Sequence, residues 1–262
     1  MKLRCPDRRQ GRLTSTQEQI WRLDREHGAA EALNMAYALR IEGPLSVPAL
    51  AETFQAICRR HEPLRTLYPE AGGRPIAQVQ EESSPRLAEI DLRPLPSTAE
   101  RLGEAARLAV REARHRFDLS TGPLLRACLL RLAEEENLLL VNLHHISADG
   151  WSLDIFGREC GAIYAALVEG RPASLPELAH QCVDHAEWQA DWLLSAKARR
   201  QLDWWKGYLD GVSPAAFALP GGAPGPVRAS SAVSRQTVPL SPDLLAEIQA
   251  VGRRRGASLY MM

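Results

Sequence analysis

Apolar and polar positions alternate along this chain with two different periods, and each change of period marks a new element. Residues 15–27 place Ile20, Trp21 and Leu23 on one apolar side and predict a helix. Residues 34–41 read as a strand closed by the turn Glu42-Gly43-Pro44. Ser46 is then placed to cap a helix with Pro48 in its first turn, where a missing N–H costs little. Leu50, Phe54, Ile57 and Cys58 give that helix one apolar face. Residues 64–68 and 75–80, split by Ala71-Gly72-Gly73, predict a hairpin. Ser97-Thr98-Ala99-Glu100 has capping-box spacing and starts a helix reaching about His115. Its expected buried stripe is Leu102, Ala106, Ala109, Val110 and Ala113.

Residues 124–132 and 138–144 are largely apolar and are joined by the acidic turn Glu134-Glu135-Glu136-Asn137. Their shortness predicts strands buried on both faces. Helices are expected over 152–169, 184–194 and 196–209. Glycine and proline crowd into 218–229, which predicts a linker or crossover, followed by a strand at 232–240 and a helix from Pro242. The chain is therefore expected to divide into a lobe at 1–217 and a further piece at 218–262. Alternating helices and strands predict an α/β layered fold with a sheet flanked by helices.

Composition narrows the function classes. With 262 residues, 45% hydrophobic and 24% charged, the chain matches average soluble globular usage, which excludes collagen-like, coiled-coil and wholly disordered readings. Thirty-two basic residues balance 32 acidic ones, so neither nucleic acid nor an anionic membrane is an expected partner. No apolar run approaches the ~18 residues that span a bilayer. The start, Met1-Lys2-Leu3-Arg4-Cys5-Pro6, lacks the apolar core of a signal peptide, and a cytoplasmic location is expected. Cys5, Cys58, Cys128, Cys160 and Cys182 are widely spaced with no C-x-x-C, which favours buried free thiols over a disulfide framework or metal knuckle.

The strongest chemical signal is Leu143-His144-His145-Ile146-Ser147-Ala148-Asp149-Gly150-Trp151-Ser152. A buried strand ends in two histidines, and a helix with unpaired first-turn N–H groups begins a few residues later. Adjacent strand residues point to opposite faces, so the histidines are a poor chelate and no metal is expected. His180 and Asp184 share the same H-x-x-x-D spacing but follow no buried strand, so spacing alone carries little.

With that motif the chain resembles the condensation domain of nonribosomal peptide synthetases, within the chloramphenicol-acetyltransferase-like acyltransferases. Further motifs follow in family order. Residues 14–21, with Gln17 and Trp21, resemble S-x-A-Q-x-R-L-W, and 60–68, from Arg60-His61-Glu62 to Leu64-Arg65-Thr66, resemble R-H-E-x-L-R-T-x-F. Phe117-Asp118-Leu119 and Gly122-Pro123-Leu124 with Arg126 follow F-D-L-x-x-G-P-L-x-R, and residues 184–189 and 201–206 resemble two helix signatures. Gln19, Tyr68, Cys182 and His185 depart from the family residues, in packing or capping roles.

The resemblance implies a chloramphenicol-acetyltransferase-like lobe with a mixed sheet, and amide formation between carrier-bound thioesters. Donor and acceptor carrier domains and other synthetase domains are the implied partners. No cofactor is expected on the domain itself, because the substrates ride on phosphopantetheine arms of the carriers. His145 is the implied catalytic residue. An imidazole of ordinary pKa, about 6.5, is largely neutral at pH 7 and can orient an amine and take its proton. Gly150 would allow close backbone approach and offer an N–H to an oxyanion, and His144 would be structural. Asp149 could orient His145 as in a triad or pair with an arginine; the family pattern favours the pair, with Arg60 ahead of Arg65. Trp21, Trp188, Trp204 and Trp205 are expected to anchor packing. A stand-alone coenzyme A-dependent acyltransferase and a non-catalytic carrier-docking lobe are the alternatives. Family domains have two lobes and this sequence reaches only the start of the second, so it is expected to fold with exposed apolar surface and to be inactive alone.

Overall fold

The structure, a computed structural model, describes residues 10–27, 30–81, 85, 87–212 and 238–262. Cys5, the expected crossover at 218–229 and most of the expected strand at 232–240 lie outside the described residues; positions 238–240, which are described, have no regular structure. The chain divides into two compact units, Met1–Ser231 and Ala232–Met262.

The first unit runs β1 (Gln10–Gly11), α1 (Ser15–His27), β2 (Asn34–Glu42), α2 (Val47–Arg60), β3 (Thr66–Leu67), β4 (Glu70–Ala71), β5 (Arg74–Pro75), β6 (Ala77–Val79) and β7 (Leu87–Asp91). It continues through α3 (Thr98–Ala113), β8 (Leu125–Ala133), β9 (Glu136–His144), α4 (Gly150–Val168), α5 (Cys182–Leu193) and α6 (Ala196–Tyr208). Four strands form a mixed sheet in the order β2-β9-β8-β7. β9 pairs antiparallel with both β2 and β8, whereas β7 and β8 are parallel with α3 between them in sequence. The expected α/β sheet flanked by helices is therefore present.

Burial on both faces explains why β8 and β9 are largely apolar. Leu125, Ala127, Leu129, Leu139, Val141 and Leu143 face one layer, where α2 and α4 contribute Phe54, Ile57, Cys58 and Ile163. Cys128, Leu130, Leu132 and Leu140 face the other layer, against Ala105 and Leu108 of α3. A third cluster joins Trp21 of α1 to Tyr68, Phe117, Leu124, Ile146 and Val183. It backs the loop after β9.

The caps follow the sequence. Ser46 accepts from the Ala49 N–H at 3.3 Å, and Ser97 with Glu100 completes the capping box of α3. The expected hairpin is present as β3 against β6, extended by β4 and β5, with Gly72 and Gly73 at positive φ in the turn. Its first strand begins late because Glu62–Arg65 forms a 3-10 turn.

Two expectations need correction. Leu102 and Val110 of α3 are about half exposed, at 51% and 53%, and the buried residues are Ala105 and Leu108. The helix is turned so that Arg101 donates to the Leu132 carbonyl at 2.7 Å and Glu112 pairs with Arg126 beside the sheet. These polar contacts select the face. Trp21 is buried as expected, but Trp204 and Trp205 are 59% and 52% exposed. They meet edge to face, and Trp204 stacks on Tyr208 along α6, rather than entering a core.

In the second unit, α7 (Pro242–Arg255) starts at the Ser241 cap and stops at Gly256, whose φ of 65° is the left-handed cap conformation. No helix among the described residues is long and apolar enough to cross a membrane.

Candidate active site

The loop after β9 separates its two histidines. The His145 N–H donates to the Leu33 carbonyl at 2.8 Å, which extends the β2–β9 ladder one residue past the strand. Alternation then sends His144 and His145 to opposite faces. His144 is fully buried, with its ring edge-on to Phe117 at 5.8 Å between centroids. Its Nδ1 accepts from the Ile146 N–H at 3.2 Å, and its Nε2 points toward Asp24 at 3.7 Å. The His145 side chain is exposed.

After a turn closed by the Ser147 N–H on the His144 carbonyl, Asp149 becomes the N-cap of α4. Its Oδ1 accepts from the Ser152 N–H at 2.8 Å and the Ser152 hydroxyl at 2.6 Å. Those hydrogen bonds hold the carboxyl below the usual aspartate range, and the neighbouring His145 adds to the effect. Gly150 opens the helix with nothing within 4 Å of where a Cβ would sit, so its backbone faces open space.

The expected pairing of Asp149 with an arginine is not observed. Arg60 instead forks onto Glu159 of α4, at 2.9 and 3.1 Å, and donates to the Pro176 carbonyl at 2.6 Å. Arg65 donates to the Gln80 carbonyl and lies 3.6 Å from Glu62. The physical reason is local. Asp149 is consumed by the orphan donors of its own helix, while Arg60 at the end of α2 and Arg65 in the 3-10 turn after it reach other carboxylates and carbonyls. Neither is Asp149 hydrogen-bonded to His145; its acceptor oxygen serves Ser152.

Two supports of the site did not emerge from sequence reasoning. Glu159 binds Arg60 and also lies 2.6 Å from His61 Nε2. Burial alone would raise its pKa, but the Arg60 and His61 hydrogen bonds and charges outweigh this and hold it low. A signal existed: Glu159 sits three residues after Phe156 and four before Ile163, on the apolar stripe of α4, where a carboxylate needs a cation. The second support is Gln17, only 8% exposed. Its amide donates to the Tyr68 hydroxyl at 3.0 Å and to the Ile146 carbonyl at 3.2 Å, tying α1 to the residue after His145. Among the described residues, no group of three His, Cys, Asp or Glu side chains could hold a metal. Burial pushes the Cys58 and Cys160 thiols up to about 12, so they are inert at neutral pH.

The arrangement presents one exposed imidazole at the rigid end of a strand, beside open helix-start N–H groups. Comparisons with known proteins show the family of the chain. A family profile described as "Condensation domain" matches residues 8–262. The chain is similar to a component of the linear gramicidin synthase of Brevibacillus parabrevis, 39% identical over 95% of this chain and 5% of that protein. It is 35% identical to phosphinothricin tripeptide synthetase PhsC of Streptomyces viridochromogenes, over 95% of this chain and 23% of that protein. Among solved structures, the complex of the X-domain and OxyB from teicoplanin biosynthesis aligns with a TM-score of 0.72 at 26% identity, over 97% of this chain and 55% of the matched one. The starter condensation domain of rhizomide synthetase RzmA aligns at 0.69 and 19% identity, covering 78% and 49%. The chain thus spans a small part of the curated relatives and about half of the solved domains.

Proposed function

The chain belongs to the condensation-domain family, and from that premise we propose that it supplies the histidine-bearing lobe of an enzyme that joins two carrier-bound thioesters through an amide bond. The observation that carries this reading is the division between His144, locked in the core, and His145, exposed at the end of β9.

The α-amine of the acceptor attacks the donor carbonyl, forming the C–N bond. His145 orients the amine and takes the proton that the nitrogen sheds, and the C–S bond breaks as the tetrahedral species collapses. The departing thiolate takes up a proton, so charge and atoms balance. The oxyanion would lie near the start of α4. There Asp149 already serves the Ser152 N–H, leaving the Gly150 and Trp151 N–H groups as candidate donors. Asp149 shapes this helix start rather than acting as a triad member.

Donor and acceptor carrier domains, each bearing a phosphopantetheine arm, are the proposed partners, and neighbouring synthetase domains the proposed context. We place the lobe at 1–217, with 218–262 beginning a second lobe. The lobe alone leaves His145 open to water, so turnover is expected only when the second half seen in the solved domains is joined to it. The synthetase relatives favour this reading over a stand-alone coenzyme A-dependent acyltransferase or a docking lobe. The test is incubation of the two-lobed protein with loaded donor and acceptor carriers, followed by mass spectrometry. Amide product that needs both carriers supports the proposal. Product formed equally well from a coenzyme A thioester and a free alcohol would replace it with the alternative.

A further inference from the structure

A cavity of about 120 Å³ lies under the loop that carries His145, walled by Ala148 of the loop, Leu64 after α2, Leu143 of β9, and Leu153, Ile155 and Phe156 of α4. Leu64 and Leu143 are buried, whereas the α4 residues are partly exposed, so the cavity opens to solvent. Two of the three polar side chains in its lining are engaged, and the third, the buried Ser147 hydroxyl, has no hydrogen-bond partner among the described residues. The Ser152 hydroxyl donates to Asp149, and the His61 ring pairs with Glu159. Apart from that one hydroxyl, the lining open to an occupant is carbon.

Position adds a second argument. Leu143 and His145 are two residues apart on a ladder that continues through the His145 N–H, so both project from the same sheet face. A group held in the cavity would therefore lie on the His145 side of the sheet, one loop away from the imidazole. An apolar cavity of about 150 Å³ takes up benzene, so this one suits a branched alkyl group of three or four carbons and excludes an indole.

We infer that the cavity is a specificity pocket for a small branched alkyl group on one of the two thioester substrates. This rests on the proposed function. The alkyl group belongs either to the donor acyl chain or to the acceptor side chain, and both have the same chemistry. One methylene too many or too few in such a pocket changes kcat/KM by about 10–200-fold.

The test is methyl-labelled NMR of the 262-residue chain titrated with N-acetylcysteamine thioesters. One arm uses acetyl, isobutyryl and indolylacetyl groups; the other uses glycyl, valyl and tryptophanyl groups. The expected result is movement of the Leu153 and Ile155 methyl signals with isobutyryl or with valyl but not with the indole compounds, and the responding arm assigns the substrate. Leu153→Phe should weaken that binding at least tenfold, and Leu153→Ala should admit the larger groups. Ala148→Val fills the same space from the loop and serves if Leu153→Phe fails to fold. Absence of a response from either arm overturns the inference. So does a Leu153→Phe variant that melts higher yet binds every thioester as before, which marks a mere packing void. If the cavity fills as described but loaded carriers give no amide, the proposed function fails and the pocket stands. If amide forms with no dependence on Leu153, the reverse holds.

Discussion

Asp149 shows how one side chain can be claimed by its nearest neighbours. As N-cap of α4 it accepts two hydrogen bonds from Ser152, and its carboxyl is held below the ordinary range by them. Asp149→Ala is expected to cost about 0.5–2 kcal/mol, while Asp149→Asn, an equally good cap, should cost much less. Thermal melts of the two variants check this. An equal, large loss from both would instead indicate a buried ion pair. The pH dependence follows from the direction of the shift. The native carboxyl titrates below its unfolded value, so its contribution is present above about pH 4 and fades as pH falls through the lower native value. The stability difference between wild type and Asp149→Ala should therefore shrink on acidification and be constant from about pH 5 to 7.

α4 and its neighbours hold the loop in place. The Arg60–Glu159 pair, with side chains 18% and 12% exposed, joins the end of α2 to the middle of α4. Glu159→Gln should cost about 1–3 kcal/mol, because the guanidinium is left with a neutral partner in a largely dry position. On a chain of this size that lowers Tm by roughly 2–4 °C per kcal/mol, measurable by calorimetry. An unchanged Tm would show that solvent screens the pair. Gly122 offers a second check. Its φ of 62° and the Leu67 side chain beside it both oppose a Cβ. Gly122→Ala is expected to cost about 1–2 kcal/mol, and a neutral result would mean that the loop relaxes freely.

These elements also show what was legible in the sequence. Helices and strands with strong periodicity, caps such as Ser46 and Ser97, and the paired β8–β9 core were readable because local chemistry and tertiary burial agree there. The face of α3 was not readable. Two apolar stripes compete on that helix, and contacts from Arg101 and Glu112 to a distant strand decide between them. The partner of Arg60 was missed for a similar reason. It lies 99 residues away on a helix whose orientation the motif does not encode. The histidine motif was legible because alternation alone dictates that only one of two adjacent strand residues can face a site.

Across the chain, charge is balanced and apolar surface is not fully covered among the described residues. Trp204, Trp205 and Tyr208 form an exposed aromatic cluster on α6, at 59%, 52% and 67%. Exposed clusters of this kind favour association. The 262-residue chain should bind a hydrophobic dye and self-associate with rising concentration in sedimentation velocity. Trp204→Gln with Trp205→Gln should reduce both effects without lowering Tm; a fall in Tm would place these rings in a core.

Single-turnover amide formation by the two-lobed protein, measured alongside thermal stability for His145→Ala and His144→Ala, bears most directly on the proposed division of labour. His145→Ala should lose about 10²–10⁴ in rate and keep the wild-type melting temperature. His144→Ala removes a fully buried ring packed on Phe117 and should lower the melting temperature. A His145→Ala protein that turns over near the wild-type rate, or one that simply unfolds, would contradict the assignment of the exposed imidazole to chemistry.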